Sequence, residues 1–238
     1  GAQLIAFPEV VNILSELPEH AETIPGPTTE LLARKAKEHG VWIHGGSISE
    51  INPHGDRTYN TSVLVAPDGE IRAKYRKLHN FDMILPDGSS VRESDNKEPG
   101  SEIVTIQTEL GTLGFAICYD LRFPELFRLM RLAGAEIIFL PANFTMPTGK
   151  DHWEPLIRAR AIENGVYIIA PNQTGEKEKF TAYGNSMIVD PWGTVIARAS
   201  DKPGIILAEL DLEYLAAVRG KNPSVDNRRT DVYSINEN

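Results

Sequence analysis

Between residues 113 and 171 the chain alternates two kinds of segment, and that alternation constrains its fold more than any other feature. An apolar run over 113–118 reads as a strand, 124–133 as a helix, 136–141 as a strand, 152–164 as a helix and 166–171 as a strand. Pro124 suits the first turn of a helix, where its missing N–H would be unpaired anyway. Gly134 and the Asn164-Gly165 pair are helix stops. Strands crossed over by helices in this way define the α/β class.

The flanks extend the pattern. Residues 1–9 read as a buried strand running into Phe7-Pro8-Glu9, 25–40 as a helix stopped by Gly40, and 41–47 as a strand. Two hairpin signals echo each other: 63–71 and 187–195 both read strand, Pro-x-Gly turn, strand, each preceded by an asparagine and a serine (Asn60 and Ser62; Asn185 and Ser186). Such an echo predicts two like halves, and the antiparallel pairs make the sheets mixed. No Gly-, Ser- or Pro-rich linker interrupts the chain, so residues 1–238 are expected to form a single domain, with about 211–238 as an extended tail. At 238 residues and 41% hydrophobic content the chain can bury a full core.

Composition excludes several functions. A net charge of −9 argues against nucleic acid as a partner. No apolar run approaches the ~20 residues of a membrane helix, and no signal peptide is evident, so no membrane partner and a cytoplasmic location are expected. The single cysteine, Cys118, rules out an internal disulfide and fits a reducing compartment.

In open α/β sheets, sites gather beyond the carboxyl ends of strands. The first strand ends at Glu9, the first hairpin at Arg76-Lys77, the central strand at Cys118-Tyr119-Asp120, and the next two at Asn143-Phe144 and Asn172-Gln173. A carboxylate, an ammonium and a thiol at strand ends are the groups that nucleophilic attack on a carbonyl needs. Alternation sets Arg72, Lys74 and Arg76 on one side and Lys77 on the other, inward with Ala73 and Tyr75. Glu93 belongs to a long loop after Lys77, and loops of that length usually serve a site. Strand, sharp turn and helix around Cys118 suit a nucleophile raised above a sheet. The histidines show no metal-ligand spacing, and Gly45-Gly46 lacks the rest of a phosphate loop, so no metal and no cofactor are expected.

The ordered set Phe-Pro-Glu9, Tyr-Arg-Lys77-Leu-His, Ile-Cys118-Tyr-Asp-Leu-Arg-Phe-Pro-Glu, Thr148-Gly-Lys-Asp-His152-Trp-Glu, Arg158-Ala-Arg160-Ala-Ile-Glu163-Asn, Tyr183-Gly-Asn-Ser-Met-Ile-Val-Asp-Pro-Trp-Gly193 and Arg228-Arg-Thr-Asp-Val-Tyr233 resembles the nitrilase superfamily of carbon–nitrogen hydrolases. The likeness runs along the whole chain. Tyr119-Asp120 after the cysteine is similar to the Nit branch of ω-amidases and deaminated glutathione amidases rather than to true nitrilases, which carry Trp-Glu there.

The resemblance implies an αββα four-layer sandwich with two mixed sheets, without the strand and helix that usually precede Phe-Pro-Glu in the family. It implies a homodimer or higher even oligomer with the tail at its interface. It also implies Glu9, Lys77 and Cys118 as catalytic groups, with Glu93 as the additional glutamate. The implied reaction is amide hydrolysis on a small carboxylate through a Cys118 thioester, with Glu9 moving protons and Lys77 and the Tyr119 N–H holding the oxyanion. Asn143 and Phe144 are the candidate substrate contacts, and Asp120 and Arg122 are expected to brace the turn. An N-carbamoyl amidohydrolase and a catalytically silent scaffold are the alternatives.

Overall fold

The computed structural model describes residues 1–15, 17–84, 88 and 90–235. They fall into two compact units, Gly1–Glu102 and Ile103–Asn238.

The first unit is built of β1 (Leu4–Ala6), α1 (Pro27–His39), β2 (Trp42–His44), β3 (Ile48–Glu50), β4 (Tyr59–Val65), β5 (Ile71–Arg76), β6 (Asp82–Ile84) and β7 (Ser90–Arg92). Helix α1 starts where Pro27 follows Gly26, whose N–H donates to Thr29 Oγ1 at 2.9 Å, and stops where Gly40 adopts a left-handed conformation at φ 62°. It carries the chain from β1 to a parallel β2 and buries Leu32 and Ala36, one helical turn apart, against Val41, Ile43, Val63 and Val65. Strand β4 is the spine: β2 and β3 follow one another along one edge and β5 pairs with the other, all antiparallel. Strand β1 is half-buried with Ile5 exposed, not buried as expected, because it pairs only with β2 among the described strands. The stretch after Lys77 is not an irregular loop either: it forms the β6–β7 hairpin and a 3₁₀ turn at Glu93–Asp95.

The second unit holds β8 (Thr105–Thr108), β9 (Gly111–Phe115), α2 (Pro124–Leu132), β10 (Ile137–Phe139), a helical turn α3 (Met146–Thr148), α4 (Glu154–Asn164), β11 (Tyr167–Ala170), β12 (Thr174–Glu176), β13 (Thr181–Tyr183), β14 (Met187–Val189), β15 (Val195–Arg198) and α5 (Leu212–Lys221). Its six-stranded sheet runs β15-β14-β11-β10-β9-β8, with β9, β10 and β11 parallel and the outer pairs antiparallel. Two successive crossovers link neighbouring parallel strands through α2 and α4, and the two helices contact each other. The fold class is therefore α/β with two mixed sheets.

The echoed hairpins fall one to each unit and share a turn. In β4–β5 the Ala66 N–H donates to Glu70 O and the Gly69 N–H to Ala66 O; in β14–β15 the Asp190 N–H donates to Thr194 O and the Gly193 N–H to Asp190 O. Gly69 and Gly193 both sit at φ 89°, which only glycine adopts readily.

Two boundaries differ from expectation. The helix expected at 152 begins earlier, as α3, and passes through a π-helical turn at Gly149–Trp153 before α4. Gly149, which opens that turn, lies against the Tyr183 ring, where a Cβ would approach to 2.3 Å. The tail is the larger correction. Residues 212–221 are helical rather than extended: Asp211 caps α5 by accepting from the N–H groups of Glu213 and Tyr214, and Leu215 and Val218 are buried three residues apart. Among the described residues, no helix is long and apolar enough to cross a membrane.

Candidate active site

In the second unit, Cys118 is buried at the end of the β9 run and, among the described residues, is one of three non-glycine residues with positive φ, at 48°. A cysteine forced into the left-handed region must be held there by its surroundings. Its N–H donates to Pro141 O at 2.9 Å, continuing the ladder between β9 and β10 past both strands. Asp120 closes the turn: its N–H donates to Ile117 O, and its Oδ2 accepts from the Ile117 N–H at 2.8 Å. Pro124 then opens α2.

Arg160, buried on α4, clamps the same turn. Its Nε and one terminal nitrogen both donate to Leu121 O, at 3.0 and 2.9 Å, while the other terminal nitrogen pairs with Glu163. Asn172 does the equivalent for the neighbouring strand end, accepting from the Phe144 N–H and donating to Gly184 O. The bracing role expected of Asp120 is present. Arg122 does something else. Its guanidinium lies 5.5 Å from the Tyr119 ring centroid and 5.8 Å from that of Phe144, and one terminal nitrogen is 3.3 Å from His152 Nδ1. Its Nε is buried without a hydrogen-bond partner. Asn143 lies beyond β10 with a buried, unpartnered Oδ1, and Phe144 is buried against Trp153 with ring centroids 4.8 Å apart.

The first unit gathers charge. Lys77 is 2% exposed on the buried side of β5's end, sharing the parity of the fully buried Tyr75. Its ammonium lies 2.8 Å from Glu93 Oε2 and 3.3 Å from Glu9 Oε1. Asn60, on β4, ties the two carboxylates together: its Nδ2 is 2.9 Å from Glu9 Oε1 and 3.4 Å from Glu93 Oε1. Glu93 also accepts from the Phe81 N–H at 2.6 Å. Burial by itself pushes the Glu93 carboxyl up, but the adjacent Lys77 ammonium and these hydrogen bonds together hold it below its ordinary value.

The backbone around Glu9 is constrained as tightly as the thiol turn. Val10, directly after it, has φ 49°, and Ser47 accepts from the N–H groups of both Val10 and Val11, through its hydroxyl and its carbonyl. Gly46 passes so close to Pro8 O that a Cβ would sit 2.0 Å away. The Gly46 N–H is 3.3 Å from Nδ1 of His44, a histidine whose burial pushes its pKa down to about 3, so that it stays neutral.

Glu9, Lys77 and Glu93 thus meet within one unit, and Cys118, Tyr119, Asn143 and Phe144 occupy neighbouring strand ends within the other. Sequence reasoning passed over Asn60 and Arg160 as working residues. The available signal was a polar or charged side chain at a position whose neighbours are all core, mid-strand for Asn60 and on the inner face of α4 for Arg160.

A family model for carbon–nitrogen hydrolases matches residues 1–220. The chain belongs to the carbon–nitrogen hydrolase family. It is 42% identical to an omega-amidase NIT2 of Xenopus tropicalis, the match covering 100% of this chain and 87% of that protein. It is 41% identical to a deaminated glutathione amidase of Synechocystis, covering 96% and 86%. Among solved structures it matches the NitFhit protein of C. elegans with a TM-score of 0.91 at 36% identity; 99% of this chain aligns, spanning 59% of that longer protein. As a family member the chain is a hydrolase of carbon–nitrogen bonds other than peptide bonds, an amidase with the nitrilase-superfamily fold.

Proposed function

We propose that the protein hydrolyses a linear amide of a small carboxylate through a thioester on Cys118. The Cys118 sulfur attacks the amide carbon as thiolate, its proton going to the Glu9 carboxylate. Lys77 and the Tyr119 backbone N–H stabilise the oxyanion of the tetrahedral intermediate, which collapses with loss of ammonia or amine carrying the proton from Glu9. Glu9 then takes a proton from water, whose oxygen attacks the thioester; the acid product leaves and the thiol is restored. Glu93 keeps the Lys77 ammonium charged and aimed. Asn60 keeps both carboxylates oriented on that one cation.

The observation that carries the carboxylate part of this reading is Arg122. It lies on the same turn as Cys118, between the Tyr119 and Phe144 rings, with a buried Nε that has no partner. A buried donor left unmade is costly, and a carboxylate is the acceptor a guanidinium best matches. An acyl group bearing a second carboxylate satisfies it. Both named relatives bear on this choice, since an omega-amidase and a deaminated glutathione amidase match at nearly equal identity.

The test is release of ammonia or amine from α-ketoglutaramate, deaminated glutathione and an N-carbamoyl amine, with the wild type and Arg122→Met. The reading expects turnover of one of the first two, and a rise in KM of about tenfold or more in the variant, the worth of one charge-assisted hydrogen bond. Turnover of the N-carbamoyl amine alone, or an unchanged KM in Arg122→Met, contradicts it.

A further inference from the structure

Lys97 is a buried lysine that the proposed reaction does not use. It is 9% exposed, and it follows the Glu93–Asp95 turn. Its ammonium donates to Thr58 Oγ1 at 2.7 Å and to Ser49 Oγ at 2.5 Å, and those two hydroxyls are themselves 3.1 Å apart. Ser49 lies on β3 and Thr58 immediately before β4, so the side chain reaches from the Glu93 segment into the edge of the sheet. A lysine head taken out of water is unfavourable unless something is gained, and an apolar side chain of equal length would fill the same space more cheaply.

The backbone at Lys97 shows what is gained. Its N–H donates to Glu93 O at 2.8 Å, and its carbonyl accepts from Asn80 Nδ2 at 2.8 Å. On either side, the Thr58 N–H donates to Asn96 O and the Glu98 N–H to Thr58 O, while the Gly100 N–H donates to Lys77 O. The Glu93 turn, the 77–81 stretch and the start of β4 are therefore laced together around one residue. That residue's main chain holds Glu93 and its side chain holds the sheet.

We infer that Lys97 is a positioning residue, which fixes the Glu93 turn to the sheet so that the Glu93 carboxylate is presented to the Lys77 ammonium. The inference rests on the reading of Glu93 and Lys77 given above. In this role Lys97 acts through Glu93.

A double-mutant cycle tests it. Lys97→Met keeps the length of the stem and removes the charge; Glu93→Gln removes the carboxylate. Rates are measured per reactive thiol, counted by alkylation of Cys118, so that loss of folded protein does not register as loss of activity. The expected result is that Lys97→Met lowers kcat about tenfold or more with little change in KM, the size of effect that a small misplacement produces, and that it lowers kcat no further in the Glu93→Gln background. An equal loss in both backgrounds, or an unchanged kcat, overturns the inference. Thr58→Val, which removes one of the two acceptors without changing shape, is carried through the same cycle should Lys97→Met fail to fold. A Glu93→Gln protein with undiminished kcat removes the underlying reading of Glu93 and the role of Lys97 with it, and is seen in the same data.

Discussion

Lys77 and Cys118 are both buried at strand ends, yet different forces hold them. Around Lys77 the contacts run between side chains from distant parts of the sequence: Glu9, Asn60 and Glu93 converge on one ammonium, and further along the same sheet Glu50 binds Lys74, Arg76 and Thr61. Around Cys118 the contacts run through the main chain: its own N–H, the Ile117 N–H and the Leu121 carbonyl are all fixed, and the residue is kept at a positive φ. A thiol needs a direction more than it needs a charge, and a rigid turn supplies one. An ammonium meant to meet developing negative charge must stay protonated when buried, which demands carboxylates close by.

Removing one charge should therefore damage the first unit far more than a similar change damages a main-chain brace. The largest effect is expected from Lys77→Met. It leaves Glu9 and Glu93 buried without their cation, costing about 3–5 kcal/mol of stability, and it removes an oxyanion donor, costing a hundred- to thousandfold in kcat, roughly the loss seen when such a donor is deleted. Denaturant unfolding and steady-state kinetics measure the two separately. A fully active Lys77→Met protein would erase the contrast.

A smaller effect sharpens it. Glu50 is buried beside Arg76 and Lys74; burial raises its carboxyl, but hydrogen bonds from Arg76, Thr61 and Lys74 win and bring it down to about 2 from 4.5. Because the folded value is the lower one, this stabilisation is complete above about pH 4.5 and is lost as pH falls towards 2. Glu50→Gln should cost about 2–3 kcal/mol at neutral pH and flatten the acid limb of the stability curve, with kcat unaffected. An acid limb unchanged by the substitution would show that Glu50 is not what ties the first unit's stability to pH.

The same difference explains what could be read from the sequence. The turn at Cys118 is local, so an apolar run, a lone cysteine and a proline six residues on were enough to mark it. Lys77 was legible through strand parity alone. The partners that make Lys77 intelligible lie 68 residues away at Glu9 and 16 away at Glu93; strand ends singled out Glu9 and loop length singled out Glu93, but only the resemblance gave them their roles. Asn60 and Arg160 stayed invisible because a polar residue in a buried element says that a partner exists without saying which. Helix α5 was missed for a different reason: Leu215 and Val218 are its buried residues, so its apolar stripe is short. The β6–β7 hairpin likewise lacks the alternation that would announce it, since its strands are three residues long.

A thioester on Cys118 whose formation depends on Lys77 is the central claim, and the acyl-enzyme reports it directly. Wild-type protein turning over α-ketoglutaramate or deaminated glutathione is quenched in acid within the first turnover, digested, and the peptide bearing Cys118 weighed. The prediction is a mass increase equal to the acyl group on that peptide, absent in Cys118→Ala and strongly reduced in Lys77→Met although its thiol is intact. Undiminished ammonia or amine release by Cys118→Ala, or an adduct that forms equally well without Lys77, would contradict it.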